Sequence, residues 1–341
     1  MANTKNKPKL IVLTPVRNEA WILRAFLAAT SLWADKIIIA DQMSTDGSRE
    51  IYREFSYRAA NKCELIVIDN TRKDMHQAAT RRLLFDKARE VLNGDTNAIL
   101  FTLDADEFLS GDFLQSNDWK RILESEPDDA FCWRWMNLKE GDPTKYSNFR
   151  HYYWAVHVSN TIWKGLFPDN FIHEWRLPWP PHCTKEKEYN LDELRSLHFA
   201  RVNTLRQRNK ERFYQVSSLG TKSSWNVLNI YRMYHREDTI EYYDVPTDVY
   251  DWYLSQGVNL WTLINLIDDG AHYTNMVLNY FRRDGVHKYA LLDIWDETWC
   301  TKNNIKNPQT WYHRLIMRYF AWSGKHRNLF TRSVDYIWKR I

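Results

Sequence analysis

Residues 98–107 read Ala-Ile-Leu-Phe-Thr-Leu-Asp-Ala-Asp-Glu. Six residues without a charge, mostly large and apolar, run straight into three carboxylates. A short continuous apolar run bounded by polar residues is the mark of a strand covered on both faces. Alternation along a strand turns residues i and i+2 to the same side, so Asp104 and Asp106 can face one ion. Alone, an Asp-x-Asp can equally be a turn or a helix cap. Its context decides the reading.

Working outward, three earlier runs repeat the pattern: residues 10–14 (LIVLT), 36–40 (KIIIA) and 64–68 (ELIVI). Between them, residues 21–33 carry apolar positions at helical spacing (Ile22, Leu23, Phe26, Leu27, Leu32, Trp33). A second helix is expected over 48–60 and a long one over 74–92, closed by Asn93-Gly94-Asp95. Strands alternating with helices give an α/β fold, a mostly parallel sheet flanked by helices with right-handed crossovers. After a helix at 118–126 the pattern changes. Residues 130–138 and 149–158 read as antiparallel strands linked through Gly141-Asp142-Pro143. From about residue 201 the periodicity is helical. The expected division is a catalytic domain over 1–200 and a helical, basic-aromatic region over 201–341.

Ligands of a parallel α/β sheet bind outside the carboxyl ends of its strands. Here those ends read Thr14-Pro15-Val16-Arg17-Asn18-Glu19, Asp41-Gln42, Asp69-Asn70 and Asp104-Ala105-Asp106-Glu107. This edge has several carboxylates and no Gly-rich loop, so it repels phosphate unaided. A divalent cation that bridges carboxylate and phosphate oxygens resolves the conflict. The edge therefore predicts a metal and a phosphorylated ligand. Asp41 and Asp46 also have turn and cap readings, which suits Asp46 better, and Asp69 reads more simply as a strand end.

Taken together, Ile11–Glu19, Ile37–Ser48 and Leu103–Glu107 resemble, in order and spacing, the opening strand, second strand with its acidic turn, and metal motif of family-2 glycosyltransferases. The resemblance covers roughly residues 9–110 and implies a GT-A-like fold. It implies that Pro15, Asn18 and Glu19 line the nucleotide pocket and that Asp41 accepts a hydrogen bond from the base, which suits uracil. Arg81 then lies near the nucleotide, Asp104 contacts the ribose or donor sugar and joins the metal site, and Asp106 binds the metal, Mn²⁺ or Mg²⁺. Gln42 stands where an acid is common, and Arg82 and Leu84 replace the usual Asn and Gly.

Inverting transfer needs a carboxylate to take the acceptor hydroxyl's proton. The resemblance places such an acid in Phe171-Ile172-His173-Glu174-Trp175, making Glu174 the candidate base, with His173 to orient it and Trp175 to stack on a sugar. It also implies that His198, within Leu197-His198-Phe199, completes the metal shell. A histidine between apolar neighbours is otherwise a core residue. Arg201, Arg206, Arg208, Lys210 and Arg212 follow, to face phosphate or solvent.

A net charge of +4 is too small to argue for nucleic acid, but its distribution is uneven. Residues 301–341 hold nine Lys/Arg against one acid, Asp335, interleaved with aromatics. That suits either an anionic membrane surface or a helix packed on its own domain. Most of the 17 Trp and 19 Tyr are expected in cores. The four cysteines form no C-x-x-C pair, and no apolar run suits a signal peptide or a membrane span, which together lead to an expectation of a cytoplasmic protein, peripheral at most. The sequence has no Gln-x-x-Arg-Trp motif of processive synthases. The reading is thus transfer of one sugar from a UDP-sugar or other nucleotide-sugar to a saccharide or lipid-linked saccharide acceptor of the cell envelope or a surface polysaccharide. Two rivals are a membrane-peripheral binding protein on a degenerate transferase fold, and a sugar nucleotidyltransferase, whose Gly-rich first loop is missing here.

Overall fold

The four apolar runs are strands β1 (Lys9–Val16), β2 (Lys36–Asp41), β3 (Glu64–Asp69) and β4 (Ala98–Thr102). They lie parallel in the order β3-β2-β1-β4. The structure, a computed structural model, describes residues 7–57, 62–111, 113–165, 176–178, 188–221, 226–235, 240–266 and 268–340. Each central strand buries both faces by simple alternation. Leu10, Val12, Ile37, Ile39, Ile99 and Phe101 pack on one side with α1 (Ala20–Thr30) and α2 (Ser48–Ser56). Ile11, Leu13, Ile38, Ala40, Ala98 and Leu100 pack on the other with α3 (Gln77–Leu92). Each of the Leu, Val, Ile and Phe side chains contributes about 1.5–3 kcal/mol on leaving water, which explains why these strands are continuous apolar runs.

Helix α3 begins three residues later than its periodicity suggests, because His76 caps it by accepting from Ala79 N through Nδ1 at 3.2 Å. Helix α4 (Asn117–Leu123) is capped by Ser116. Beyond it the sheet turns mixed. β6 (Ala130–Lys139) and β7 (Asp142–His157) pair antiparallel, as their sequences suggest. Their link is tighter than expected: Lys139 pairs with Asp142, and Gly141 takes the left-handed φ of 70° that the turn requires. β7 joins the parallel block beside β4, and β8 (Glu188–His198) runs parallel to β6. A three-residue strand, β5 (Glu107–Leu109), pairs antiparallel with β8 at the end of the order β3-β2-β1-β4-β7-β6-β8-β5. The architecture is α/β, a parallel half continued by a mixed half.

Two compact units emerge, residues 1–202 with 242–267, and residues 203–241 with 268–341. In the first, α7 (Asp248–Ser255) covers β5: Tyr253 donates to Leu109 O at 2.8 Å, and a Cβ on Gly111 would collide with Val249 O. The second is helical, with α5 (Thr204–Thr221) packed on α8 (Ala271–Asp284). Two cations of the basic cluster are internal struts there: Arg206 pairs with Asp268, and Arg212 pairs with Asp296.

Candidate active site

Strand β4 stops at Thr102, and Asp104-Ala105-Asp106-Glu107 closes a turn in which Glu107 N donates to Asp104 O at 3.0 Å. Asp104 and Asp106 therefore sit on a turn at the carboxyl end of the parallel strands, and Glu107 opens β5. Strand register then brings in residues far along the chain. Glu107 pairs with His198 across β5–β8, and His198 pairs with Asn137 across β8–β6. Phe199 N donates to Asp106 O at 2.8 Å, pinning the turn to the end of β8.

Four residues named from the sequence meet here: Arg81 from α3, Asp104, Asp106 and His198. Arg81 donates to Asp104 Oδ1 at 2.6 Å, and Arg176 donates to Asp104 Oδ2 at 3.0 Å. Asp104 keeps about a third of its side chain exposed, while both arginines are nearly buried. Arg176 also grips Glu107 with two bonds of 2.6 Å. Its guanidinium lies over the rings of Trp154 and Trp135, at 4.5 and 5.1 Å. Glu107 is wholly buried and accepts four hydrogen bonds: the two from Arg176, one from Asp104 N at 2.8 Å and one from Trp135 Nε1 at 2.9 Å. Burial pushes its carboxyl up, the Arg176 charge pulls it down, and Asp104 and Asp106 push it up again. Four donors fit only the anion, because a carboxylic acid proton would meet a donor at every position. Burial works against the Arg176 charge, yet Asp104 and Glu107 hold this guanidinium above its ordinary value. Burial lowers Arg81, with Asp104 opposing.

One oxygen each of Asp106 and Glu107 and one ring nitrogen of His198 lie within 4.8 Å of one another. With its lone pairs already engaged, Glu107 is an anchor rather than a ligand. Asp106 and His198 fit a cation better. Asn137 Oδ1 lies 2.6 Å from His198 Nδ1, which suits a proton on that nitrogen, and Nε2 faces Asp106 Oδ1 at 3.8 Å. Two ligands each about 2.0–2.2 Å from one ion stand no more than ~4.4 Å apart, so this pair spans a metal without rearrangement. Trp135 stacks on the imidazole at 4.8 Å and 11°, fixing its plane. Asp104, expected to share the ion, has each of its two oxygens on an arginine.

Pro15, Asn18, Glu19 and Asp41 form a second group at the ends of β1 and β2. Asn18, at φ 56°, donates through its N–H to Ser44 Oγ at 2.9 Å and accepts from Thr45 N at 2.8 Å. Glu19 accepts from Trp21 Nε1 at 2.8 Å, and Pro15 is half-buried in β1. Asp46 is a turn residue that accepts from Ala20 N at 2.8 Å and Ser48 N at 3.1 Å, while Gly47 takes the N-cap position of α2. Asp41 departs from expectation. It has no exposed surface, and its carboxylate accepts from Ser44 N at 3.0 Å, Arg49 at 3.1 Å and Tyr52 at 3.0 Å. In this arrangement it braces the corner and offers a base nothing. Arg49 reaches on to Asp69 at 2.6 Å. Phe171–Trp175, with Glu174, lies outside the described residues.

Arg176, Glu107, Trp135 and Asn137 were not legible as site residues. Only Glu107 had a signal, as the last acid of the run after β4.

Residues 11–177 match the family model described as Glycosyl transferase family 2. No curated protein matches the chain significantly. Among solved structures, the chain is similar to a mannosyltransferase from Pyrobaculum calidifontis in complex with GDP-Man and Mn²⁺, at 13% identity over 99% of this chain and 89% of that one, with a TM-score of 0.41. It is also similar to S. aureus TarS in complex with UDP-GlcNAc, at 13% identity over 86% and 79%, with a TM-score of 0.33. Glucosyl-3-phosphoglycerate synthase from Mycobacterium tuberculosis aligns at 15% identity over 38% of this chain and 44% of its own, with a TM-score of 0.27. Residues 11–177 are a glycosyl transferase family 2 domain, and the protein is a glycosyltransferase of that family.

Proposed function

We propose that the protein moves one sugar from a nucleotide-sugar, a UDP-sugar being the first donor to test, to a saccharide or lipid-linked saccharide acceptor of the cell envelope or a surface polysaccharide, with a divalent metal and inversion at the anomeric carbon. The observation that carries this reading is the Asp106–His198 pair, 3.8 Å apart, beside a carboxylate held by two arginines. Asp104, Asp106 and Glu107 against Arg81 and Arg176 leave one net negative charge, so the site attracts a cation first and a diphosphate only with it.

A divalent ion held by Asp106 and His198 would neutralise charge developing on the leaving diphosphate. The chain's own groups do the rest. Arg81 and Arg176 hold the Asp104 carboxylate at the strand edge, where its remaining lone pairs can accept from donor hydroxyls. Among the described residues Arg81 Nη1 is buried without a hydrogen-bond partner, a cost of about 1–3 kcal/mol that a phosphate oxygen within reach would remove. Glu174, two residues before Arg176 in the chain, is the proposed base. As the acceptor oxygen bonds to the anomeric carbon, its proton passes to that carboxylate and the bond to the donor phosphate breaks. The described cysteines Cys63, Cys132 and Cys300 are free and buried, which supports a cytoplasmic setting. None of the described helices is long and apolar enough to cross a membrane.

The test is release of nucleoside diphosphate from a panel of UDP- and GDP-sugars incubated with the protein and Mn²⁺. Turnover of one donor, abolished by EDTA, is expected. Pyrophosphate release from a nucleoside triphosphate and a sugar phosphate, with every donor left intact, would replace this reading with that of a nucleotidyltransferase.

A further inference from the structure

The last two helices, α10 (Trp311–Lys325) and α11 (Leu329–Trp338), are joined by a three-residue link. Their inner faces are polar as well as apolar. Phe320 and Ser323 of α10 and Thr331 and Asp335 of α11 are buried. Asp335 accepts from Arg232 of α6 (Val227–Tyr234) and from Arg327, each at 2.7 Å. Tyr319 donates to Asp335 and to Thr331 O across the pair of helices. A buried carboxylate with two guanidinium partners is a strong tie, because removing either side strands a charge.

This tie has a consequence for the outer surface. Asp335 is the sole acid in residues 301–341, and it is 3% exposed. Every exposed charge of the two helices is therefore positive: Arg314, Arg318 and Lys325 on α10, Arg332 on α11, then Lys339 and Arg340. Among these cations stand large apolar side chains in water. Trp311 is 77% and Leu329 83% exposed, and Leu315, Trp322, Phe330 and Ile337 are also exposed. On α10 the spacing 311-315-318-322-325 sets Trp, Leu, Arg, Trp and Lys along one stripe. Aromatic and aliphatic groups mixed with cations, and no exposed acid, complement a surface that is anionic outside and apolar just beneath. A soluble partner helix would need acids in register with this stripe; a lipid surface supplies its charge anywhere.

We infer that the α10–α11 pair docks on an anionic lipid bilayer, lying in its interface with Trp311, Leu315, Trp322, Leu329 and Phe330 among the acyl chains and the arginines at the phosphates. The helices do not span the bilayer, since α10 has 15 residues and carries three cations along its exposed side. This inference stands apart from the transfer chemistry and holds whatever the donor.

The experiment is co-sedimentation of the full chain with vesicles of phosphatidylcholine alone or mixed with phosphatidylglycerol, at low and high salt. Binding to the mixed vesicles, weakened by salt, is expected. Arg314→Gln with Arg318→Gln should weaken it about 30-fold, since each cation near such a surface is worth about a fivefold factor. Leu329→Ser with Phe330→Ser should weaken it at least about tenfold even at low salt. All four positions are exposed, so unchanged circular dichroism and melting are expected alongside. Equal binding to both vesicles, or loss in the arginine variant alone, would overturn interfacial insertion. A concentration-dependent dimer abolished by Leu329→Ser with Phe330→Ser, without vesicle binding, would assign the face to a second copy.

Discussion

Asp106→Ala should lower turnover by at least ~10²-fold while the protein remains folded. Two contributions are removed at once. His198 Nε2 loses the partner that stands 3.8 Å away, and a single imidazole holds a divalent ion poorly. The site also loses a negative charge, so carboxylates and guanidiniums balance and the pull on a cation weakens. The fold has little reason to suffer. Asp106 sits on a turn held by backbone bonds, Glu107 N to Asp104 O and Phe199 N to Asp106 O, and these survive the substitution. The variant should therefore melt close to the parent and fail to turn over donor at any Mn²⁺ concentration that saturates the parent. Near-normal turnover in folded Asp106→Ala protein would remove the metal assignment.

Glu107→Ala should act in the opposite way, on stability before chemistry. Glu107 receives four donors and has no exposed surface. Among the described residues, alanine leaves Arg176 with the shared Asp104 as its one carboxylate and removes the bond from Trp135 Nε1 to Glu107. Breaking a buried ion pair from one side costs about 3–5 kcal/mol. For a unit of this size that is a fall in Tm of roughly 10 °C. Glu107→Gln keeps the shape but not the charge, and one end of its amide turns a donor toward donors, so it should fall between the two. Thermal denaturation of the three proteins checks the order. A Glu107→Ala protein melting with the parent would show that Arg176 finds a carboxylate elsewhere, and would return Glu107 to the set of metal ligands.

The contrast between these substitutions marks how far the site could be read in advance. Asp106 drew notice because it follows an apolar run, and His198 only through the family resemblance, since its apolar neighbours suggest a core histidine. What joins them was not legible. His198 reaches Asp106 because β8 is flanked by β5 on one side and β6 on the other. A strand of three residues is too short to show a period, so β5 left no trace in the sequence. Asn137 and Trp135 lie on β6 and look like any alternating pair until that register is known.

Asp41 shows the reverse limit. Its place at the end of β2 was correct, and its expected availability to a base was not. Arg49 and Tyr52, one turn apart on α2, close over the carboxylate, and burial with the Asp41 charge holds the Tyr52 hydroxyl well above an ordinary phenol. A helix packed across a strand end decides which acids stay open, and periodicity alone does not give that crossing. The parallel half was readable for a simpler reason: both faces of β1, β2 and β4 are buried, so their composition is set by the core. The C-terminal helices carried their charge in plain sight, while the burial of Asp335, which makes their surface uniformly positive, depends on Arg232 about a hundred residues earlier.

On the proposed reading, a cation at Asp106 and His198 lets this acidic edge accept a nucleoside diphosphate. Calorimetric titration of UDP into the protein, with Mn²⁺ and again with EDTA, tests it most directly. Binding with Mn²⁺ that disappears in EDTA is expected. Equal binding in both conditions, or silence toward UDP and GDP alike with the metal present, would contradict it.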